Sequence, residues 1–170
     1  VITSGLAPAA VLWQVCLQTE PCWLPEAWKL GYCVFVLAAF SALRLAKFNI
    51  DETQTVEFCG LPTPAGSLLC ASLGMLWQQG AVALSSDGVL LIAVLTSLLL
   101  VSPIRMFALK FHGFGWRGNE VRYLFLLASI VLIIILRTYA IPVIIVLYIV
   151  VSAVRWLCMR SGNPDKAPKA

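Results

Sequence analysis

Six times between Val1 and Met159 the sequence returns to a long apolar run, and the only carboxylate that touches one of these runs is Glu120, at the start of the fifth. A run of that kind has no face for water, so other helices or lipid must cover it, and lipid accepts only backbone that bonds to itself. Composition points the same way. The chain is 61% hydrophobic and 12% charged with a mean hydropathy of +0.92, whereas soluble domains carry roughly a quarter charged residues. A soluble globular enzyme is excluded. The expectation is an all-α, polytopic transmembrane helix bundle with spans at roughly 1–18, 29–48, 63–79, 88–109, 120–137 and 141–159, in one domain over 1–160.

The breaks have local causes. Thr19-Glu20-Pro21 with Pro25-Glu26, the stretch from Asn49 to Pro64, the cluster Ser85-Ser86-Asp87-Gly88, the segment from Gly113 to Glu120 and the corner Arg137-Thr138-Tyr139 interrupt the runs with turn formers and charges. With Val1 on the cytoplasmic side, alternate loops fall inside at 49–62, 110–119 and 160–170. Ten of the twelve Lys and Arg residues then lie in or beside cytoplasmic segments, and Lys29 and Arg137 lie outside. That sorting follows the positive-inside rule, and the net charge of +4 needs no nucleic-acid partner. The segment from Ser161 to Ala170, with Pro164 and Pro168 among Lys166 and Lys169, reads as a disordered cytoplasmic tail.

Chemistry has few places to sit. Asp51, Glu52 and Glu57 form the one acidic cluster, in a loop where a solvated surface is the ordinary reading. His112 has no carboxylate or cysteine close by, and the six cysteines contain no Cys-x-x-Cys pair, which predicts neither a metal cluster nor a disulfide framework. The end of the second span, Ser41-Ala42-Leu43-Arg44-Leu45-Ala46-Lys47-Phe48-Asn49, says more. Arg44 and Lys47 are three apart and share a helix face. Either both snorkel to the headgroups, or they turn inward and bind an anion, as intramembrane cations commonly do. Arg105 follows Pro103, which can bend its helix, while Lys110, Arg117 and Arg122 fit positive-inside anchoring. Near Val1, Gly5, Ala7, Ala9 and Ala10 make a small-faced helix that lets a neighbour approach closely.

Two stretches carry a resemblance. Val1-Ile2-Thr3-Ser4-Gly5-Leu6-Ala7-Pro8-Ala9, then Leu43-Arg44-Leu45-Ala46-Lys47-Phe48-Asn49 followed by Phe58-Cys59-Gly60-Leu61-Pro62-Thr63-Pro64-Ala65, resemble the phosphatidylserine synthases among the integral-membrane CDP-alcohol phosphatidyltransferases. The likeness weakens beyond about residue 100. It implies transfer of a phosphatidyl group from CDP-diacylglycerol to L-serine with release of CMP, in a bacterial inner or plasma membrane, with the catalytic face cytoplasmic. It also implies a divalent metal, magnesium or manganese, held by a paired-aspartate signature that is absent from this sequence and expected upstream of Val1. The chain then reads as six of eight spans, without catalytic or metal-ligating residues of its own and inactive alone.

Among the residues present, Arg44, Lys47 and Asn49 are expected to line the substrate pocket, since a guanidinium can hold a phosphate or a carboxylate bidentately. Lys47 stands where the family more often has Arg. Thr3 and Ser4 are expected near the pyrophosphate as hydrogen-bond donors, with Arg105 as a further contact to an anionic headgroup. The partners implied are CDP-diacylglycerol, L-serine, the bilayer and a second copy of the chain. A phosphorylated acceptor, such as glycerol phosphate or inositol phosphate, would give Arg105, Lys110 and Arg117 a role. From a different class, a non-catalytic membrane partner subunit fits the same spans.

Overall fold

The structure, a computed structural model, describes residues 1–21, 27–50, 57–107 and 120–162. Asp51, Glu52, Lys110, His112, Arg117 and the tail from Asn163 onward lie outside the described residues. A π-helical turn, Ile2–Leu6, leads into α1 (Ala7–Gln18), and a 3-10 segment, Ala27–Phe35, leads into α2 (Val36–Ile50). There follow β1 (Glu57–Cys59), α3 (Thr63–Gln78), α4 (Ser86–Val101), β2 (Arg105–Phe107), α5 (Glu120–Leu136), a 3-10 turn at Arg137–Tyr139 and α6 (Ala140–Gly162). The fold is all-α apart from one antiparallel pair of three-residue strands, with Phe58 opposite Met106.

Local sequence explains where the helices start and stop. Pro8 and Pro64 occupy the first turns of α1 and α3, where a missing amide costs nothing and the fixed φ favours the helix. Pro8 therefore follows the π turn and opens α1 rather than kinking it. Ser85 caps α4 by accepting from the Gly88 amide at 3.2 Å, which satisfies one orphan donor of the first turn. The expected span over 88–109 ends early, at Val101. Pro103 is the reason: it has no amide for the helix ladder and pushes the residue before it out of the helical region. Ser102 accordingly sits at φ −55°, ψ 143°, and the chain leaves as β2 with Arg105 in it. At the last boundary, Ser161 and Gly162 belong to α6.

The helices alternate in direction and pack as one bundle, with α1 against α3 and α4, α2 against α4, and α6 against α3 and α5. Leu12, Leu37, Leu61, Leu76 and Leu100 are completely buried between them. The apolar stretch Val121–Cys158 is 38 residues long, yet it does not run straight. Arg137 adopts φ +47°, and beyond it α6 folds back on α5, so that the rings of Phe125 and Tyr148 meet edge to face at 5.9 Å. Two stretches, Leu30–Asn49 and Val121–Cys158, are long and apolar enough to cross a membrane. The helices α1, α3 and α4, of 12 to 16 residues, are shorter. On α5 the outward positions are large hydrocarbons, with Leu124 69%, Ile134 72% and Ile135 71% exposed.

One end of the bundle is stitched by hydroxyls. Thr19 Oγ1 donates to Val15 O at 2.9 Å and lies 3.1 Å from Ser86 Oγ, which in turn lies 2.6 Å from Thr19 O. Tyr139 adds a bond to Ala81 O at 3.2 Å. The other end is zipped by main chain. Leu61 N donates to Leu99 O and Gly60 N to Ile104 O, both at 2.9 Å, and the β1–β2 pair continues the zip.

Gly60 makes this closure feasible, because it takes φ +78° and a Cβ there would run into the Leu100 carbonyl oxygen. Gly80, at φ +68°, has nothing within 4 Å of the same position. Both Gly60→Ala and Gly80→Ala carry the strain of a left-handed alanine, about 1–3 kcal/mol, and only the first adds a backbone collision. Thermal unfolding of the purified protein is expected to show a clearly larger drop in midpoint for Gly60→Ala than for Gly80→Ala, and equal drops would contradict the close approach at Leu100.

Candidate functional site

The main-chain zip brings the start of α3 beside the end of α2. Arg44, half-buried about four turns into the longer helix that begins at Leu30, donates from Nη1 to Thr63 Oγ1 at 2.8 Å. Thr63 is the first residue of α3, fixed by Pro62 before it and Pro64 after it. An arginine held by a neutral hydroxyl keeps its charge. The Tyr148 hydroxyl of α6 lies within electrostatic range of the same guanidinium. Tyr148 is buried, and Ser152 and Arg155 follow it at spacings of four and three, along one stripe of α6.

Of the residues expected from sequence, Arg44 is thus drawn into a polar cluster between α2, α3 and α6, away from the lipid-like outer face. Lys47 and Asn49 are exposed on the last turns of α2, beyond Arg44. The π turn lies against α2, and an added Cβ on Gly5 would come 2.9 Å from Ser41 Cβ and 3.2 Å from Ala38 Cα. That close approach puts Thr3, exposed, and Ser4, half-buried, toward the same end as Arg44. Arg105 contributes its backbone to β2, opposite Cys59; its side chain lies outside what is described. The small residues near Val1 divide, with Gly5, Pro8 and Ala9 buried and Ala7 and Ala10 exposed.

Sequence reasoning passed over Thr63, Tyr148 and Ser152. Thr63 stands where the break from Asn49 to Pro64 meets the third span, and nothing in its neighbours Pro62 and Pro64 marks it as a partner for Arg44. Tyr148 and Ser152 carried a usable signal, two polar residues one turn apart in an apolar helix, where such groups rarely face lipid.

The topology also sorts the charges. The ends of α2 and α6, the start of α5 and β2 share one end of the bundle and bring Arg44, Lys47, Arg105, Arg122, Arg155 and Arg160 there, whereas Lys29 and Arg137 belong to the opposite end. That basic end can bind and orient an anionic group. A divalent metal finds no such fit: among the described residues no three His, Cys, Asp or Glu side chains come together, and a hard cation needs several oxygen ligands and compensating charge.

The chain is similar to the CDP-diacylglycerol–serine O-phosphatidyltransferase of Bacillus subtilis (strain 168), with 27% identity over 113 residues, 66% of this chain and 56% of that protein. The chain therefore spans little more than half the length of this relative. No family model matches it. The similarity is to an O-phosphatidyltransferase.

Proposed function

We propose that this chain is the larger part of the membrane domain of a phosphatidylserine synthase, which moves a phosphatidyl group from CDP-diacylglycerol to L-serine and releases CMP. The likeness to the Bacillus subtilis enzyme carries this reading. The stretches that drew the sequence resemblance and the cluster at Arg44 support it. In this reading six spans cross the bilayer as a single domain, with the basic end cytoplasmic. The hydrocarbon faces of α5, with Ile134 and Ile135 outward, and the bias of Lys and Arg toward one end favour that placement.

Arg44 would hold an anionic group of one substrate, either a phosphate of CDP-diacylglycerol or the carboxylate of serine. Thr63 fixes its guanidinium by the 2.8 Å bond, so little ordering remains to be done when substrate binds. Its partial burial strengthens that attraction over its value in water. Lys47, Asn49, Thr3 and Ser4, at the same end, are placed in this proposal around the mouth of the pocket, with Arg105 at the start of β2. Divalent metal, when bound, would neutralise the pyrophosphate leaving group. The described residues bring no three His, Cys, Asp or Glu side chains together that could hold it.

The test is serine-dependent release of CMP from CDP-diacylglycerol by the protein isolated with whatever precedes Val1 in its native membrane. A charge-assisted hydrogen bond contributes about 1.5–3 kcal/mol. Arg44→Ala is therefore expected to raise the apparent KM for one substrate by roughly 10- to 100-fold at 1.4 kcal/mol per decade, while Glu20→Gln, an exposed charge at the opposite end, leaves both KM values within about twofold. Equal effects of the two substitutions would remove Arg44 from the pocket, and glycerol phosphate or inositol phosphate outcompeting serine would replace the acceptor. A second expectation concerns the 170-residue chain alone, which should release no CMP above background; turnover by it would show that the reacting groups lie within these spans.

A further inference from the structure

The segment that leads into α2 is unusual for its length. Nine consecutive residues, Ala27–Phe35, coil as a 3-10 helix, whereas such runs seldom exceed about four residues because their hydrogen bonds are poorly aligned. Burial follows that coil. Gly31, Val34 and Leu37 are buried at intervals of three, and Leu30, Cys33 and Val36, also three apart, are exposed. Beyond Leu37 the inward line passes to Ser41 and Arg44, at the four and three spacing of an α-helix.

Contacts specific to the tight coil hold it against α1. An added Cβ on Gly31 would come 3.4 Å from Trp13 Cδ1 and 3.6 Å from Cys16 Sγ, and the Trp13 ring meets those of Tyr32 and Phe35 at 5.8 and 6.2 Å. Residues three apart eclipse in a 3-10 helix, so Tyr32 and Phe35 stand in one row beside the indole. The sequence suits an α coil equally well. Counted back from Leu37 at α spacing, the inward residues are Cys33 and Leu30, four and seven positions away, while Gly31 swings about a third of a turn aside. An apolar residue therefore stands on the inward line in either register, as an element with two packings requires.

The two coils differ in length. At about 2.0 Å per residue against about 1.5 Å, the nine residues shorten by roughly 4.5 Å on passing from 3-10 to α. The apolar stretch Leu30–Asn49 is about 33 Å long with Leu30 to Phe35 in the 3-10 coil and about 30 Å long as a continuous α-helix. Bilayers cover the same range of hydrocarbon thickness, and a mismatched span adjusts to its bilayer.

We infer that Ala27–Phe35 is a length switch set by the bilayer: a thick hydrocarbon layer holds the 3-10 coil, a thin one favours the α coil, and the shortening draws Arg44 away from Thr63. A displacement of about half the 4.5 Å suffices to break a hydrogen bond of 2.8 Å. The far end is anchored, because the Thr19–Ser86 stitch fixes α1 and with it Trp13. At the near end, the contact between Ser41 and Gly5 offers no hydrogen bond to resist the slide, since Ser41 Oγ has no partner among the described residues. The inference gives the Arg44 site of the reading above a regulator, and it rests on that reading in setting α2 across a bilayer.

Cys33 reports the register, being exposed in the 3-10 coil and turned inward in the α coil. The whole protein is reconstituted in vesicles of dimyristoleoyl-, dioleoyl- and dierucoylphosphatidylcholine, whose hydrocarbon layers thicken in that order. Alkylation of Cys33 by membrane-permeant N-ethylmaleimide is read on its own peptide by mass spectrometry, with the exposed Cys158 as reference. The ratio of the two rates is expected to rise about three- to tenfold from the thinnest bilayer to the thickest. Deeper immersion alone would lower the ratio or leave it flat, and either result would overturn the switch. Gly31→Ala, which favours the α coil, is expected to bring the ratio in dierucoyl vesicles down to that of the thinner ones. Coupling between two sites is reciprocal, so Thr63→Val, which removes the bond to Arg44 without touching the segment, should lower the ratio in dioleoyl vesicles about two- to fivefold. An unchanged ratio in that variant would overturn the link to Arg44. The labelling needs no substrate, so thickness dependence in a protein without serine-dependent CMP release would keep the switch and dismiss the synthase.

Discussion

The main-chain bonds between residues 60–61 and the end of α4 set the working geometry of the whole bundle. A helix leaves its last carbonyls without partners, and in α4 one of them, Leu99 O, is taken by the Leu61 amide, while Ile104 O beyond the helix takes that of Gly60. Closing those bonds forces the chain around Gly60 at φ +78° and delivers Pro62 and Thr63 to the start of α3 beside α2. Thr63 can then receive Arg44 at 2.8 Å. The β1–β2 pair extends the same closure and buries Met106 completely under it. The placing of Arg44 against Thr63 thus depends on backbone groups that carry no charge.

Most of the helical layout could be read from the alternation of apolar runs and breaks, because a run that excludes water admits little besides a helix. The six expected segments find their counterparts in α1 to α6, with boundaries moved by a few residues. What escaped was set by geometry at the ends. Val101 ends α4 because Pro103 acts two residues upstream of itself, and an apolar window that averages over the proline continues past it. The short strands at Glu57 and Arg105 escaped because their pairing joins residues nearly fifty apart, a distance that no local periodicity reports. The π turn over Ile2–Leu6 has no composition of its own; it is visible only once Gly5 is seen against Ser41.

Legibility of the candidate site differed residue by residue. Arg44 stood out, since a cation one turn inside an apolar run is costly and draws attention by itself. Its partners did not stand out. Thr63 owes its place to the turn at Gly60, and Tyr148 and Ser152 owe theirs to the α5–α6 hairpin, which folds a 38-residue apolar stretch back on itself and turns one stripe of α6 inward. A sequence gives spacing along α6 but leaves open which stripe meets the bundle. Lys47, at the same helical spacing from Arg44 as an inward-facing partner would have, is exposed, so shared face alone was a weaker guide than depth.

Hydrogen-bond accounting distinguishes the two ends of the bundle more sharply than charge does. At the Thr19–Ser86 end hydroxyls join the helices: Thr19 bonds Val15, Ser86 reaches Thr19 and Cys16, and Tyr139 bonds Ala81. That end is a stitch, and its polar groups are used up in holding helices together. At the Arg44 end Ser41 is buried with a hydroxyl that has no hydrogen-bond partner among the described residues, while Ser152 is buried next to the Tyr148 hydroxyl. A protein selected only for a stable bundle would gain by replacing the Ser41 side chain with a methyl group, since an unsatisfied buried hydroxyl costs about 1–3 kcal/mol.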